Sequence, residues 1–280
     1  MIRRFRQEDY SDWVMATRIF PENEGTVRAA PWRIELLGGI GARRGRTLVT
    51  EFRTRRAAIL LARLALNPRP HRREELIAML WPESVAAAGR QNLSQALSEL
   101  RRRLEAPHQC EFVFAGRETV WLDRESLTTD VEDFERAMAA AHSASGELLI
   151  RHLEEAVAIA HAPLLPGVRH DWAEASRERI SAECDAALRQ LVVHYEASGD
   201  LAAAFECAWR RVRIDPLDEE AHREFAHLYE RSGRPAAALH HLHEMERELT
   251  RRLGVEPDSE SRALGETLRA RLAELASHRD

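Results

Sequence analysis

The chain contains no lysine; all 41 of its basic residues are arginine. A Walker A loop needs its lysine beside the phosphates, so a P-loop NTPase module is excluded. Schiff-base catalysis through lysine is excluded as well, and a receiver-type phosphorylation site would lack its lysine partner. Cysteine is scarce: Cys110, Cys184 and Cys207 stand far apart, with no C-x-x-C pair. That usage predicts reduced, mostly buried thiols. No apolar run reaches membrane-spanning length, and no membrane contact is expected. The opening MIRRFRQEDYSDW carries acids where a secretory signal needs an apolar core, so the expected location is the cytoplasm. No Ser/His/Asp or Cys/His constellation, glycine-rich phosphate cradle or metal-spaced cluster stands out. The expectation is a protein that is not an enzyme and holds no cofactor and no metal.

What is present is an uneven charge. The net charge of −5 is divided sharply along the chain. Residues 32–125 carry 17 arginines against 11 acids, whereas residues 126–280 carry 19 arginines against 30 acids. A basic segment joined to an acidic one implies that the first part alone meets a polyanion.

Three regions follow from the pattern. Residues 1–31 are mixed in character and read as a loose N-terminal extension. From residue 32, WRIELLGGI alternates and ends in a glycine turn, and TLVTEF reads as a further strand. Residues 53–66 have Ala57, Leu60, Leu61 and Leu64 on one helical face and stop at Asn67-Pro68. A short helix covers 73–81 and another covers 86–105. EFVFAGRETVWLD then alternates on both sides of Gly116-Arg117, which predicts a hairpin. Strands, three helices and a hairpin, in that order, make a winged helix-turn-helix over residues 32–125.

After residue 126 the strands are expected to stop. HYEASGDLAAAF and LYERSGRPAAAL repeat at a spacing of 34 residues, from Tyr195 to Tyr229 and from Gly199 to Gly233. That is the tetratricopeptide period. Small residues let paired helices approach, the glycine turns between them, and the tyrosine fills the space between pairs. A less regular pair precedes them around 131–161, and the last repeat helix runs to about Leu253. Residues 126–275 therefore read as an all-α tetratricopeptide-like array. The fold class is mainly α with a small β part.

Within this frame, WRIELLGGI, FRTRRAAILLARLALNP, HRREELIAMLWPE, GRQNLSQALSELRRRLE and TVWLD resemble, in order, the DNA-binding domain of the SARP family of bacterial activators. TDVEDFE, LLPG, EASGDLAAA, DPLDEEAHRE, LYERSGRPAAAL and LGVEPDSE resemble its partner, the bacterial transcriptional activator domain (BTAD). The resemblance implies a winged helix of the response-regulator effector type that binds direct repeats of double-stranded DNA near a promoter. It also implies recruitment of RNA polymerase holoenzyme, a homodimer that assembles on DNA, and a place at the nucleoid. With no NTPase or sensor module after the BTAD, the chain resembles the small two-domain type.

The candidate site lies on residues 89–105. Leu93, Leu97, Leu100 and Leu104 form a narrow inward stripe. Arg90, Gln91, Ser94, Gln95, Ser98 and Arg102 are placed away from it. Amides and guanidiniums read base edges, and each good bidentate pair discriminates by about 1–3 kcal/mol. Arg53, Arg55 and Arg56 begin the first helix, and His71, Arg72 and Arg73 the second. Helix N-termini favour phosphate, so these are candidate backbone contacts; pairing with Glu74, Glu75 or Glu83 is the alternative. Arg117 is placed at the wing tip. Trp81, Trp121 and Trp172 read as core. His240, His241 and His243 lack the i, i+4 spacing of helical metal ligands and read as helix surface. A second reading of the whole stays open: an acidic tetratricopeptide adaptor whose winged helix serves only packing or dimerisation.

Overall fold

In the computed structural model, which describes residues 30–108 and 110–277, the chain begins as a small sheet. The expected extension over 1–31 lies almost wholly outside the described residues. β1 (Trp32–Glu35) pairs antiparallel with β2 (Gly41–Arg44), which pairs antiparallel with β3 (Thr47–Val49). Alternation in β1 sends Trp32 and Ile34 into the core, both fully buried.

Three helices follow. Thr54 caps α1 (Arg55–Leu66) by accepting from the Ala57 N–H, and Ala57, Leu60, Leu61 and Leu64 are its buried face. α2 (Arg73–Leu80) and α3 (Ala86–Leu104) complete the trio, with Leu93, Leu97, Leu100 and Leu104 buried beneath α3. β5 (Val113–Ala115) and β6 (Thr119–Leu122) form the hairpin around Gly116-Arg117. A short strand, β4 (His71–Arg72), adds to the other edge of β6, so the wing sheet runs β4-β6-β5.

The approach of α2 and α3 depends on Gly89. A Cβ there would lie 2.4 Å from Cγ2 of Ile77, a stiff β-branched neighbour that cannot swing aside. Gly89→Ala is therefore expected to destabilise the domain by about 1–2 kcal/mol, because overpacking outweighs the gain in helix propensity. Adding Ile77→Ala should restore part of the loss in chemical denaturation. A more stable single variant would contradict the packing described here.

Strands do not stop at residue 126. β7 (Leu127–Thr129) runs parallel to β1 and closes the first sheet in the order β3-β2-β1-β7. Three residues are too few to show an alternation. Thr129 then caps α4 (Asp130–His142), accepting from the Glu132 N–H.

The helical array continues with α5 (Gly146–Ile159), α6 (Asp171–Ser198), α7 (Leu201–Ile214), α8 (Glu219–Arg231), α9 (Pro235–Leu253) and α10 (Ser259–Ser277). The turns of the two repeats fall at Gly199 (φ 80°) and Gly233 (φ 74°), left-handed positions that favour glycine. Tyr229 packs edge-on against Phe205 and Phe225, between helix pairs as the repeat predicts. Asp218, first of the DEE run, caps α8. Cys184 and Cys207 are buried and Cys110 is half-buried; all three are free thiols. Burial pushes the Cys207 thiol up to about 11.

The array is seated on the winged helix by specific bonds. The buried Asp130 carboxylate accepts from the N–H groups of Leu36 and Leu37. Leu37 bridges Leu164, Gly38 N–H donates to Pro163 O, and Leu165 N–H donates to Leu36 O. Arg63 of α1 lies 5.2 Å above the Trp172 ring of α6. Residues from Pro31 onward thus form one compact unit.

Three sequence expectations need correction. His71 is buried and its Nε2–H donates to Asn67 O, because β4 draws it inward; it cannot contact a phosphate. Trp81 is core, but Trp121 is half-exposed and stacked on Phe114, and Trp172 is half-buried under Arg63. His241 is not on the surface. It is buried between α8 and α9, with Nε2 2.9 Å from Nδ1 of His222. No group of residues suited to a metal ion occurs among the described residues, and no described helix is long and apolar enough to cross a membrane.

Candidate nucleic-acid interface

With its leucine stripe buried, α3 must expose its other side. Arg90, Gln91, Ser94, Gln95, Ser98 and Arg102 are all exposed. The hydroxyl of Ser94 donates to Arg90 O and that of Ser98 to Ser94 O, both at 2.9 Å. Their donors are thus spent within the helix, which leaves their oxygens as acceptors. Gln91 and Gln95 keep both amide groups uncommitted. This face offers donors and acceptors side by side, which is what base edges in a major groove demand.

Glu99 is the acid nearest this face, and it is withdrawn from it. It is buried, accepting from the Arg53 N–H and from the guanidiniums of Arg102 and Arg103. Burial alone would raise its carboxyl, but those bonds hold it below the ordinary value. Glu99 therefore ties the start of α1 to the last turn of α3, and Arg102 is held by it. The sequence shows Glu99 only as the one acid of 89–105 before Glu105, because its partner Arg53 lies on another element.

Basic groups line both flanks of α3. On one flank stands Arg73, whose guanidinium lies 3.5 Å from the Ser94 hydroxyl and 3.4 Å from Gly116 O of the wing. Its backbone N–H donates to Glu118 O, so the wing and the start of α2 move together. Arg117 is exposed at the wing tip. Arg72 is exposed and 3.7 Å from Glu74, an exposed pair worth little.

The other flank borders an open cleft of about 1220 Å³, lined by Arg53, Arg56, Asn92, Gln95, Trp81 and the segment Gly167–His170 among others. Arg53 and Arg56 are exposed with no acidic partner among the described residues. Arg55, itself exposed, donates to Gly167 O. It links the two halves of the chain, which removes it from the group of free cations that its neighbours form. Sequence reasoning missed the far wall of this cleft, since residues 167–170 follow α5 and carry no local signal linking them to α1.

The family model of the bacterial transcriptional activator domain matches residues 129–269. Among solved structures, the chain is similar to EmbR of Mycobacterium tuberculosis in complex with a low-affinity phosphopeptide. The TM-score is 0.64 at 23% identity, covering 86% of this chain. The chain spans 65% of the length of that protein. A second similarity is to the C-terminal TPR-containing domain of a Plasmodium falciparum FK506-binding protein. There the TM-score is 0.36 at 15% identity, over 53% of this chain and 93% of that one. No curated protein matches the chain.

Proposed function

The chain belongs to the bacterial transcriptional activator domain family, and we propose that it is a DNA-binding transcriptional activator of the SARP type. In this reading α3 lies in the major groove, with Gln91 and Gln95 facing adenine edges and Arg90 facing guanine or phosphate. Arg73 and Arg117 hold the backbone on the wing side, and Arg53 and Arg56 hold it on the other. Direct repeats near a promoter place two copies side by side, and the helical array meets the second copy or RNA polymerase holoenzyme.

The observation that carries this reading is the make-up of α3. Its exposed face is amide, hydroxyl and guanidinium, its one nearby acid is buried, and both flanks are basic. A solvated helix with no ligand has no reason to be cleared of acids in this way.

Fluorescence anisotropy on the DNA upstream of its own coding region, at two salt concentrations, tests it. The expected result is tight, sequence-selective binding that weakens steeply with salt, since phosphate contacts release counterions. Replacing Gln91 and Gln95 together by alanine should lower affinity for the preferred site by about 10–100-fold, one or two lost bidentate contacts, while non-specific affinity stays. Equal losses on all sequences would mean that these amides do not read bases. Absence of DNA binding at either salt concentration would favour the adaptor reading.

A further inference from the structure

The cleft beside α3 has one wall from the winged helix and one from the helical array. Arg53 and Arg56 stand on the first, and Arg169, exposed and without an acidic partner among the described residues, stands on the second. An acidic array would be expected to keep its arginines in ion pairs, and it mostly does: Arg179, Arg189, Arg223 and Arg231 all meet carboxylates. Arg151, Arg169 and Arg213 are exposed without an acidic partner among the described residues, and of these Arg169 lines the cleft beside α3.

The loop that carries it is held rigidly. The Arg177 guanidinium donates to the carbonyls of Leu164, Leu165 and Val168 at 2.8, 2.8 and 2.9 Å. Leu165 is fully buried at φ 46°, a left-handed conformation rare for leucine and maintained by those surroundings. Arg55 fastens Gly167 from the other side. Such effort at a loop between two helices places the next residue, Arg169, at a fixed position relative to α1 and α3.

We propose that Arg169 is a DNA-backbone contact supplied by the helical array, closing with Arg53 and Arg56 on the phosphates along the flank of α3 remote from the wing. The proposal rests on the reading of α3 as the groove-binding helix. The occupant is argued from charge and continuity. Three guanidiniums with no acidic partner among the described residues line one cleft, Gln95 lines it too, and a duplex seated on α3 presents a strand of phosphates on each side of the major groove. The wing-side cations Arg73 and Arg117 serve one strand, and this cluster serves the other. The array then helps to set the register of the winged helix on DNA instead of merely trailing from it.

The test compares the full chain with Arg169→Ala, Arg53→Ala and a charge control, Arg213→Ala, which removes the same charge from an exposed position on α7. Affinity is measured across a salt series on preferred and scrambled DNA. Arg169→Ala is expected to weaken binding several-fold on both sequences and to reduce the salt slope by about one, as for a single lost phosphate contact. Arg213→Ala should leave the slope unchanged. If Arg169→Ala keeps wild-type affinity and slope while Arg53→Ala and the Gln91/Gln95 double variant lose theirs, this proposal is overturned and the groove reading stands. Normal binding of one copy but loss of the second copy on a direct repeat would place a neighbouring protein in the cleft and likewise overturn it. Failure of the unmodified chain to bind any DNA overturns both.

Discussion

Arg211→Ala is expected to cost about 3–5 kcal/mol of stability, as when one partner of a buried ion network is removed. Arg211 is fully buried in α7, yet its guanidinium meets three carboxylates. Nε and Nη2 donate to Asp185 of α6 at 2.8 and 3.1 Å, and Nη1 donates to Glu224 of α8 at 2.7 Å. Asp218, the cap of α8, lies 3.6 Å away. One cation thus joins three consecutive helices of the array. Burial disfavours its charge, but the hydrogen bonds to Asp185 and Glu224 more than offset that and hold it fully protonated. Removing it leaves carboxylates facing one another across a half-buried space, with no countercharge. Arg211→Met should also destabilise, since it fills the volume without the charge. Urea unfolding followed by circular dichroism reads both variants. A midpoint within error of the unmodified chain would show that α6, α7 and α8 are held by apolar packing alone.

Acid is expected to act first on the His222–His241 pair. The rings stack with centroids 4.8 Å apart, and Nδ1 of His222 lies 2.9 Å from Nε2 of His241. His222 Nε2 faces Pro216 O at 3.1 Å, a carbonyl that can only accept, so that nitrogen carries the hydrogen. His222 Nδ1 is then the acceptor and His241 the donor. The free lone pair that remains is on His241 Nδ1, and a proton added there puts a charge into a buried space. Burial lowers both rings from their ordinary values. His241 falls from 6.5 to about 4, with His222 and His240 adding to the burial effect. For His222, Asp218, Asp215 and Glu219 oppose burial in part.

The sign follows directly. Between about pH 6.5 and pH 4 the unfolded chain binds protons that the folded pair refuses. Stability is complete above that window and is lost as pH falls through it, by about 3 kcal/mol for His241. His241→Leu should flatten the slope within the window and leave the loss below pH 4, where carboxylates titrate, in place. An unchanged slope in the variant would move the acid sensitivity elsewhere.

Much of the winged helix was legible because its signals are local. The α3 stripe, the Asn67-Pro68 stop and the turn at Gly116 each lie within a few residues of what they determine. The repeat of Tyr195–Gly199 at Tyr229–Gly233 likewise gave two helix pairs of the array. What was not legible depends on distant partners. β7 is three residues long and becomes a strand only because β1 offers an edge. His71 goes inward because β6 pairs with β4. His241 looks like one of three solvated histidines until α8 brings His222 against it. For the site, residue types on α3 suggested a reading face from sequence alone. The withdrawal of Glu99, the capture of Arg55 by Gly167 O and the far wall at Arg169 are tertiary facts. Spacing along the chain carries no trace of them.

Whether α3 reads bases in the major groove is decided by methylation interference. Dimethyl sulphate places a methyl group on guanine N7, which lies in that groove, and on adenine N3, which lies in the minor groove. DNA methylated sparsely before binding is separated into bound and free fractions. The account predicts that N7 methylation at guanines within the recognised site excludes binding. Interference confined to adenine N3, or none at any base despite tight binding, would contradict a major-groove role for α3.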